Sequence, residues 1–227
     1  IYSLYCEEHK FEQTKVKTNK AQKGGGVWLQ NGTQIHIIWS SFRKNIGSIG
    51  AAMFVDQFTT MFSLRSTFIL NKFEDSMKVY SWETVKPAFA STLYVHSVSN
   101  ISNVMCTFSE NMATEHLGVA ILINNSEKVY NKLSTFDRNS AALDIYDANI
   151  VRNMNVSFSH STAPETVVML NKVNYSHTIG SVFHDNSGDA LQARGGLAMY
   201  QVDCKFERNR KTALKAEMYE KVVNIDV

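Results

Sequence analysis

Counted back from seven phenylalanines, Phe42, Phe68, Phe108, Phe136, Phe158, Phe183 and Phe206, apolar residues recur at fixed distances along the chain. Fifteen positions earlier stand Val27, Met53, Leu93, Ile121, Leu143, Val168 and Leu191, and thirteen earlier Leu29, Val55, Val95, Ile123, Ile145, Leu170 and Ala193. Apolar residues two apart describe a strand with one buried face. A second alternation runs into the Phe. Four positions before it come Ile38, Leu64, Val104, Lys132, Met154, Ile179 and Val202, and two before it Ser40, Ser66, Cys106, Ser134, Val156, Ser181 and Cys204. This predicts an inward set that is apolar, then small, then aromatic, with Lys132 as a misfit. Each repeat therefore holds at least two short strands with bends between them.

Three residues after the Phe comes an Asn in six copies, Asn45, Asn71, Asn111, Asn139, Asn186 and Asn209, and Ser161 in the remaining one. The segment from the opening strand to this Asn has constant length. The variable part follows it and is longest at the insertion 72–91. A repeat this short, rich in β-branched residues and patterned at period two, excludes helical repeats and predicts an all-β fold, a single-stranded parallel β-helix. About eight coils of 22–28 residues are expected, spanning roughly 38 Å at the inter-strand spacing. Residues 1–23 read as a partial coil or cap with an exposed Lys-rich loop over Lys15 to Lys23, and residues 24–227 as the solenoid. Ala213-Leu214-Lys215-Ala216 opens a last, incomplete copy. Inside such a coil the Phe residues form a stacked ladder, and the Asn residues turn the chain and bond along the axis.

The opening motif appears as Gly24-Gly25-Gly26-Val27, Gly50-Ala51-Ala52-Met53, Gly118-Val119-Ala120-Ile121, Ser140-Ala141-Ala142-Leu143 and Gly188-Asp189-Ala190-Leu191. Together with Phe-x-x-Asn it resembles the GGA[ILV] plus FxxN repeat of the chlamydial polymorphic membrane protein family of surface adhesins. The resemblance covers about residues 24 to 218. It implies a right-handed, pectin-lyase-like parallel β-helix, an extracellular or cell-surface setting and a role in adhesion or structure. The family's autotransporter barrel has no counterpart here, so its secretion route does not carry over.

Composition narrows the partners. With 44% apolar residues the chain has enough to bury a core, and 23 Lys+Arg against 21 Asp+Glu gives a net charge of +2, which lacks the concentrated basic charge a phosphate backbone demands. Nucleic acid is not an expected partner. The apolar runs are far shorter than the roughly 20 residues of a bilayer span, so no membrane insertion by this segment is expected. Cys6, Cys106 and Cys204 form no metal or redox spacing, and no cofactor or metal is expected. Cys106 and Cys204 share one register position four coils apart, too far for a disulfide.

Two residues after each Phe the column reads Lys44, Leu70, Glu110, Arg138, His160, Asp185 and Arg208, charges interleaved as in exposed ion pairs. One position earlier Asp137, Ser159, His184 and Glu207 offer an acid/base set, but Asp137 and Glu207 lie three coils apart. A catalytic site is the minority reading. An outward column on the opening strand, Trp28, Phe54, Tyr94 and Leu122, reads as an apolar contact surface, either open to a partner or to sugar rings, or covered by the insertion with its Tyr80, Trp82 and Phe89. Five sequons, Asn31, Asn100, Asn124, Asn155 and Asn174, fall off the inward positions and read as acceptors for N-linked glycans. The expected protein is a non-enzymatic extracellular rod, structural or adhesive, stacking end to end with copies of itself or with adjoining β-helix segments. The alternative is a polysaccharide-binding or polysaccharide-cleaving β-helix, with glycans as partners.

Overall fold

In the computed structural model, residues 1–73, 90–113, 118–163 and 165–227 are described. They form a parallel β-solenoid of about eight turns with no helix among them. One sheet holds nine long strands, Tyr2–Glu12, Val27–Ile38, Met53–Leu64, Ala90–Val104, Gly118–Lys132, Ala141–Met154, Thr166–Ile179, Asp189–Val202 and Leu214–Ile225, each paired in parallel with the next. A second sheet of eight short strands runs from Lys15–Lys17 and Ser41–Arg43 to Val182–His184 and Lys205–Glu207. A third, of three strands, joins Ile46–Gly47, Lys72–Phe73 and Met112–Ala113.

The Phe ladder is continuous. From Phe42 through Phe68, Phe108, Phe136, Phe158 and Phe183 to Phe206 the ring centroids are 4.9, 4.8, 4.9, 5.1, 4.7 and 4.8 Å apart, with planes within 18° of parallel. The coil rise dictates this spacing, because register-matched residues lie one inter-strand distance apart. All but Phe206 are fully buried.

Beside it runs the Asn column. Asn71 shows the pattern: its Nδ2 donates to Phe42 O at 2.9 Å and to Asn111 Oδ1 at 3.1 Å, and its backbone N–H donates to the same Oδ1. Each amide thus caps a carbonyl of the preceding coil and bonds the amide of the following one. At Ser161 the column breaks. Its hydroxyl donates to Ser140 O at 2.7 Å, and its backbone N–H reaches Asn186 Oδ1 at 2.9 Å.

Corners are turned by residues in the left-handed region, three to a coil. They include Gln57, Arg65 and Leu70 in one coil and Asp147, Asn155 and His160 in another, with φ between 47° and 59°. Bulky residues pay a steric cost there, offset because the corner backbone stays hydrogen-bonded to the next coil: Arg65 N–H donates to Val104 O and Leu70 N–H to Ser109 O. Two glycines serve a different need. A Cβ on Gly32 or Gly196 would sit 2.2 or 2.5 Å from the ring of Phe58 or Tyr219, which folds inward over it from the adjacent coil.

The corner also corrects one expectation. Passing through a left-handed residue resets the alternation, so Ile38, Leu64, Val104, Lys132, Met154, Ile179 and Val202 lie outside, half-buried, and Lys132 is no misfit. The inward residues are one position earlier: Ile37, Ser63, Asn103, Asn131, Asn153, Thr178 and Gln201, all fully buried and nearly all polar.

The N-terminal segment forms a coil in register with the next. Lys15–Lys17 pairs with Ser41–Arg43, Val16 stands opposite Phe42, and Asn19 donates to Asn45 Oδ1 at 3.0 Å. Lys20 and Lys23 bridge Ile46 and Ile49. Lys15 and Lys17 point outward from the strand on either side of Val16, so the stretch expected as a Lys-rich loop opens with a further copy of the repeat with Val in the Phe position.

Candidate functional site

The outward aromatic column is not an open stripe. Trp28 packs edge-on to Tyr2 at 4.7 Å and to Phe54 at 5.8 Å, and Phe54 stacks on Tyr94 at 5.0 Å. Lys23 sits over the Trp28 and Phe54 rings. Leu122 clusters with Val119, Ala141 and Ala163, flanked by Tyr94 and Tyr146. Phe54 and Leu122 are 8% and 4% exposed, and Trp28 and Tyr94 are half-buried. Stacking along the axis and packing by flanking residues contribute to this burial. The expected cover, Tyr80, Trp82 and Phe89, lies outside the described residues.

One coil further the same column places Asp144 in this apolar setting. Burial, then the charge of Glu165, pushes its carboxyl up to about 7. Burial and the Asp144 charge also push the Tyr146 hydroxyl up.

The exposed apolar residues lie elsewhere. Trp39, Met105 and Leu133, at the second corner of their coils, are 56%, 40% and 43% exposed, with Ile38, Leu64 and Val104 beside them. Arg65, between Trp39 and Met105 in the stack, lies 5.1 Å over the Trp39 ring, and its Nε is 3.4 Å from Met105 Sδ. The sequence analysis missed this ridge because it assigned the flanking residues to the interior.

At the third corner the charged column gathers into one network. Asp137 Oδ1 is 2.9 Å from both Ser159 Oγ and His160 Nδ1, and Asp137 Oδ2 is 3.1 Å from Arg138 Nε. On the next coil His184 Nδ1 is 2.9 Å from Asp185 Oδ2, and Arg208 grips Asp185 with Nε to Oδ1 at 2.7 Å and an amino nitrogen to Oδ2 at 2.8 Å. His160 Nε2 lies 3.9 Å from Asp185 Oδ2, joining the halves. The Arg208 guanidinium and then the His184 ring hold the Asp185 carboxyl well below the usual range. Partial burial pushes Asp137 up, but the hydrogen bonds from His160 and Ser159 outweigh it and leave that carboxyl lowered. Arg138 reaches Glu110 at 3.5 Å. Glu207 contacts Arg208 at 3.8 Å, and the stack places it three coils from Asp137. The two carboxylates of the proposed acid/base set therefore do not meet, whereas Asp137, His160, Asp185 and His184 do.

The sequons all lie on the outer surface. Asn100, Asn155 and Asn174 are exposed, and Asn31 and Asn124 half-buried. Asn31 and Asn155 stand on corners with positive φ. The three cysteines are free; Cys106 and Cys204 are buried, and burial pushes the Cys106 thiol up to about 11, as expected of a packed, inert sulfhydryl.

No family model matches this chain, and neither a curated protein nor a solved structure matches it.

Proposed function

We propose that the protein is a non-enzymatic, extracellular or cell-surface rod, structural or adhesive in role and related to the polymorphic membrane protein type of repeat. The observation that carries this reading is the unbroken stack of seven rings, which makes successive coils one stiff body. Its edge strands, Tyr2–Glu12 and Leu214–Ile225, each pair on one side only. Unpaired parallel edges are templates for further strands, so the rod continues by stacking on adjoining coils, from the same array or from another copy. The sequons on the outer surface fit a glycosylated exterior, and the ridge of Trp39, Met105 and Leu133 supplies an apolar surface for adhesion.

Electron microscopy and sedimentation over a range of concentrations test the assembly. Particles lengthening in steps of roughly 43 Å, nine strands at the inter-strand spacing, are expected, and replacing Val222 and Val223 by Lys and Pro should shorten them. Particles of one fixed length at every concentration would overturn stacking between copies. Intact mass before and after enzymatic deglycosylation tests the surface setting; an unchanged mass on native material removes that support.

The second reading, a polysaccharide-binding or polysaccharide-cleaving β-helix, is favoured by the meeting of Asp137, His160, His184 and Asp185 on one outer corner. Glycan-array binding together with reducing-sugar release would establish it over the first.

A further inference from the structure

We propose that His160, His184 and Asp185 form a binding site for a divalent transition-metal ion of the zinc class. The register builds the site. His160 and Asp185 occupy the same left-handed corner position on consecutive coils, and His184 precedes Asp185, so the coil rise brings two imidazoles and one carboxylate to one point on the outer edge. One ligand atom from each lies within 4.8 Å of the others, and no other group of His, Cys, Asp and Glu among the described residues gathers three in this way.

The individual distances suit an ion at the centre. In a tetrahedral site with bonds of about 2.0–2.1 Å, ligand atoms stand about 3.3 Å apart. Here His184 Nδ1 is 2.9 Å and His160 Nε2 3.9 Å from Asp185 Oδ2. Small rotations of the exposed His160 ring and the half-buried His184 ring would bring both to that value. The orientation of His160 is already fixed: with Nδ1 donating to Asp137, Nε2 turns its lone pair toward Asp185. Asp137 is itself held by Ser159 and Arg138, which makes it the outer carboxylate that commonly supports a metal-bound imidazole. His184 ligates through Nδ1 in the tautomer that carries its proton on Nε2. Two imidazole nitrogens and one carboxylate oxygen suit Zn²⁺, Cu²⁺ or Ni²⁺ over Ca²⁺ or Mg²⁺, which select oxygen.

Arg208 opposes the ion. It shares Asp185 Oδ2 and places a fixed positive charge beside the site. Its removal is therefore expected to strengthen binding, whereas loss of a purely structural ion pair would not.

The test uses the tag-free chain, with Zn²⁺ titrated calorimetrically and Co²⁺ followed by its visible absorption. Binding of one ion per chain is expected. H160A and H184A should each weaken it by at least about tenfold, and D137N by about tenfold, through the supporting hydrogen bond. R208Q should tighten it about three- to tenfold, and H177A, on another face, should leave it unchanged. In the unsubstituted chain Co²⁺ should broaden the ring signals of His160 and His184 first, which reads the site even where a variant folds poorly. Absence of Zn²⁺ binding, binding that survives H160A/H184A, or broadening centred on other histidines would overturn the site.

Discussion

Two columns of buried amides run along this rod, and they differ in how completely they are paired. At the third corner Asn19, Asn45, Asn71 and Asn111 each donate to the next amide, and Asn45, Asn71, Asn111 and Asn139 each cap a carbonyl of the preceding coil. Inside the solenoid Asn103, Asn131 and Asn153 also form a chain, at 3.0 and 2.9 Å, but it ends unpaired. Asn103 Oδ1, Asn153 Nδ2, Thr178 Oγ1 and both polar atoms of Gln201 have no hydrogen-bond partner in the structure. The corner amide answers a requirement that every coil repeats, a carbonyl released where the chain turns, and so the same residue recurs. The inner position faces only its own neighbours, and Ile37, Ser63, Asn103, Thr178 and Gln201 all occupy it. Repetition of a residue follows from repetition of a backbone need, and burial alone does not enforce it.

That difference is open to direct attack. Asn111→Ala removes the donor to Phe68 O and the acceptor of the Asn71 backbone N–H, leaving buried polar groups unpaired. It should cost about 2–4 kcal/mol in urea unfolding, and a cost below about 1 would show the corner column to be passive. Changing Asp144, a buried carboxyl outside both columns, to Asn should stabilise the fold by about 4 kcal/mol at pH 8. Its folded pKa, about 7, exceeds the unfolded value of about 3.9, so the folded state holds the extra proton between them. Stability of the unsubstituted chain should therefore fall as pH rises from about 4 to about 7 and level off above, and the Asn variant should lack that slope. Ser161→Asn should close the gap between Asn139 and Asn186 and add about 1 kcal/mol, seen as a higher thermal midpoint. Gln201→Met should change stability by less than about 1 kcal/mol, in the favourable direction, since no bond of its amide is lost. A large loss there would mean that the inner column is paired after all.

Much of this architecture was legible in the chain. Phe-x-x-Asn and the apolar pair on the opening strand fixed the coil, the ladder and the alignment of every later copy, because a stacked fold repeats its demands at a fixed spacing. Where a residue departs from the commoner one, legibility failed. Val16-x-x-Asn19 is a copy without its ring, and the sequence analysis read it as part of a loop. The inner polar column was hidden by the corners: Arg65 and its equivalents insert one left-handed residue, which shifts the parity of everything counted back through them. The same shift concealed the Trp39 ridge. His160, His184 and Asp185 were each visible in the register, but their meeting depends on two neighbouring positions of adjacent coils, and a column-by-column comparison does not join them.

The corner amides all point one way. On either side of the break at Ser161, Nδ2 of a lower coil gives its proton to the amide oxygen of the coil above, from Asn19 to Asn45 at one extreme and from Asn186 to Asn209 at the other. A coil laid on beyond Asn209 meets a donor, and one laid on before Asn19 meets an acceptor. Stacking of the proposed kind would therefore be vectorial: units would join with the same heading, and two rods brought together nose to nose would oppose N–H with N–H.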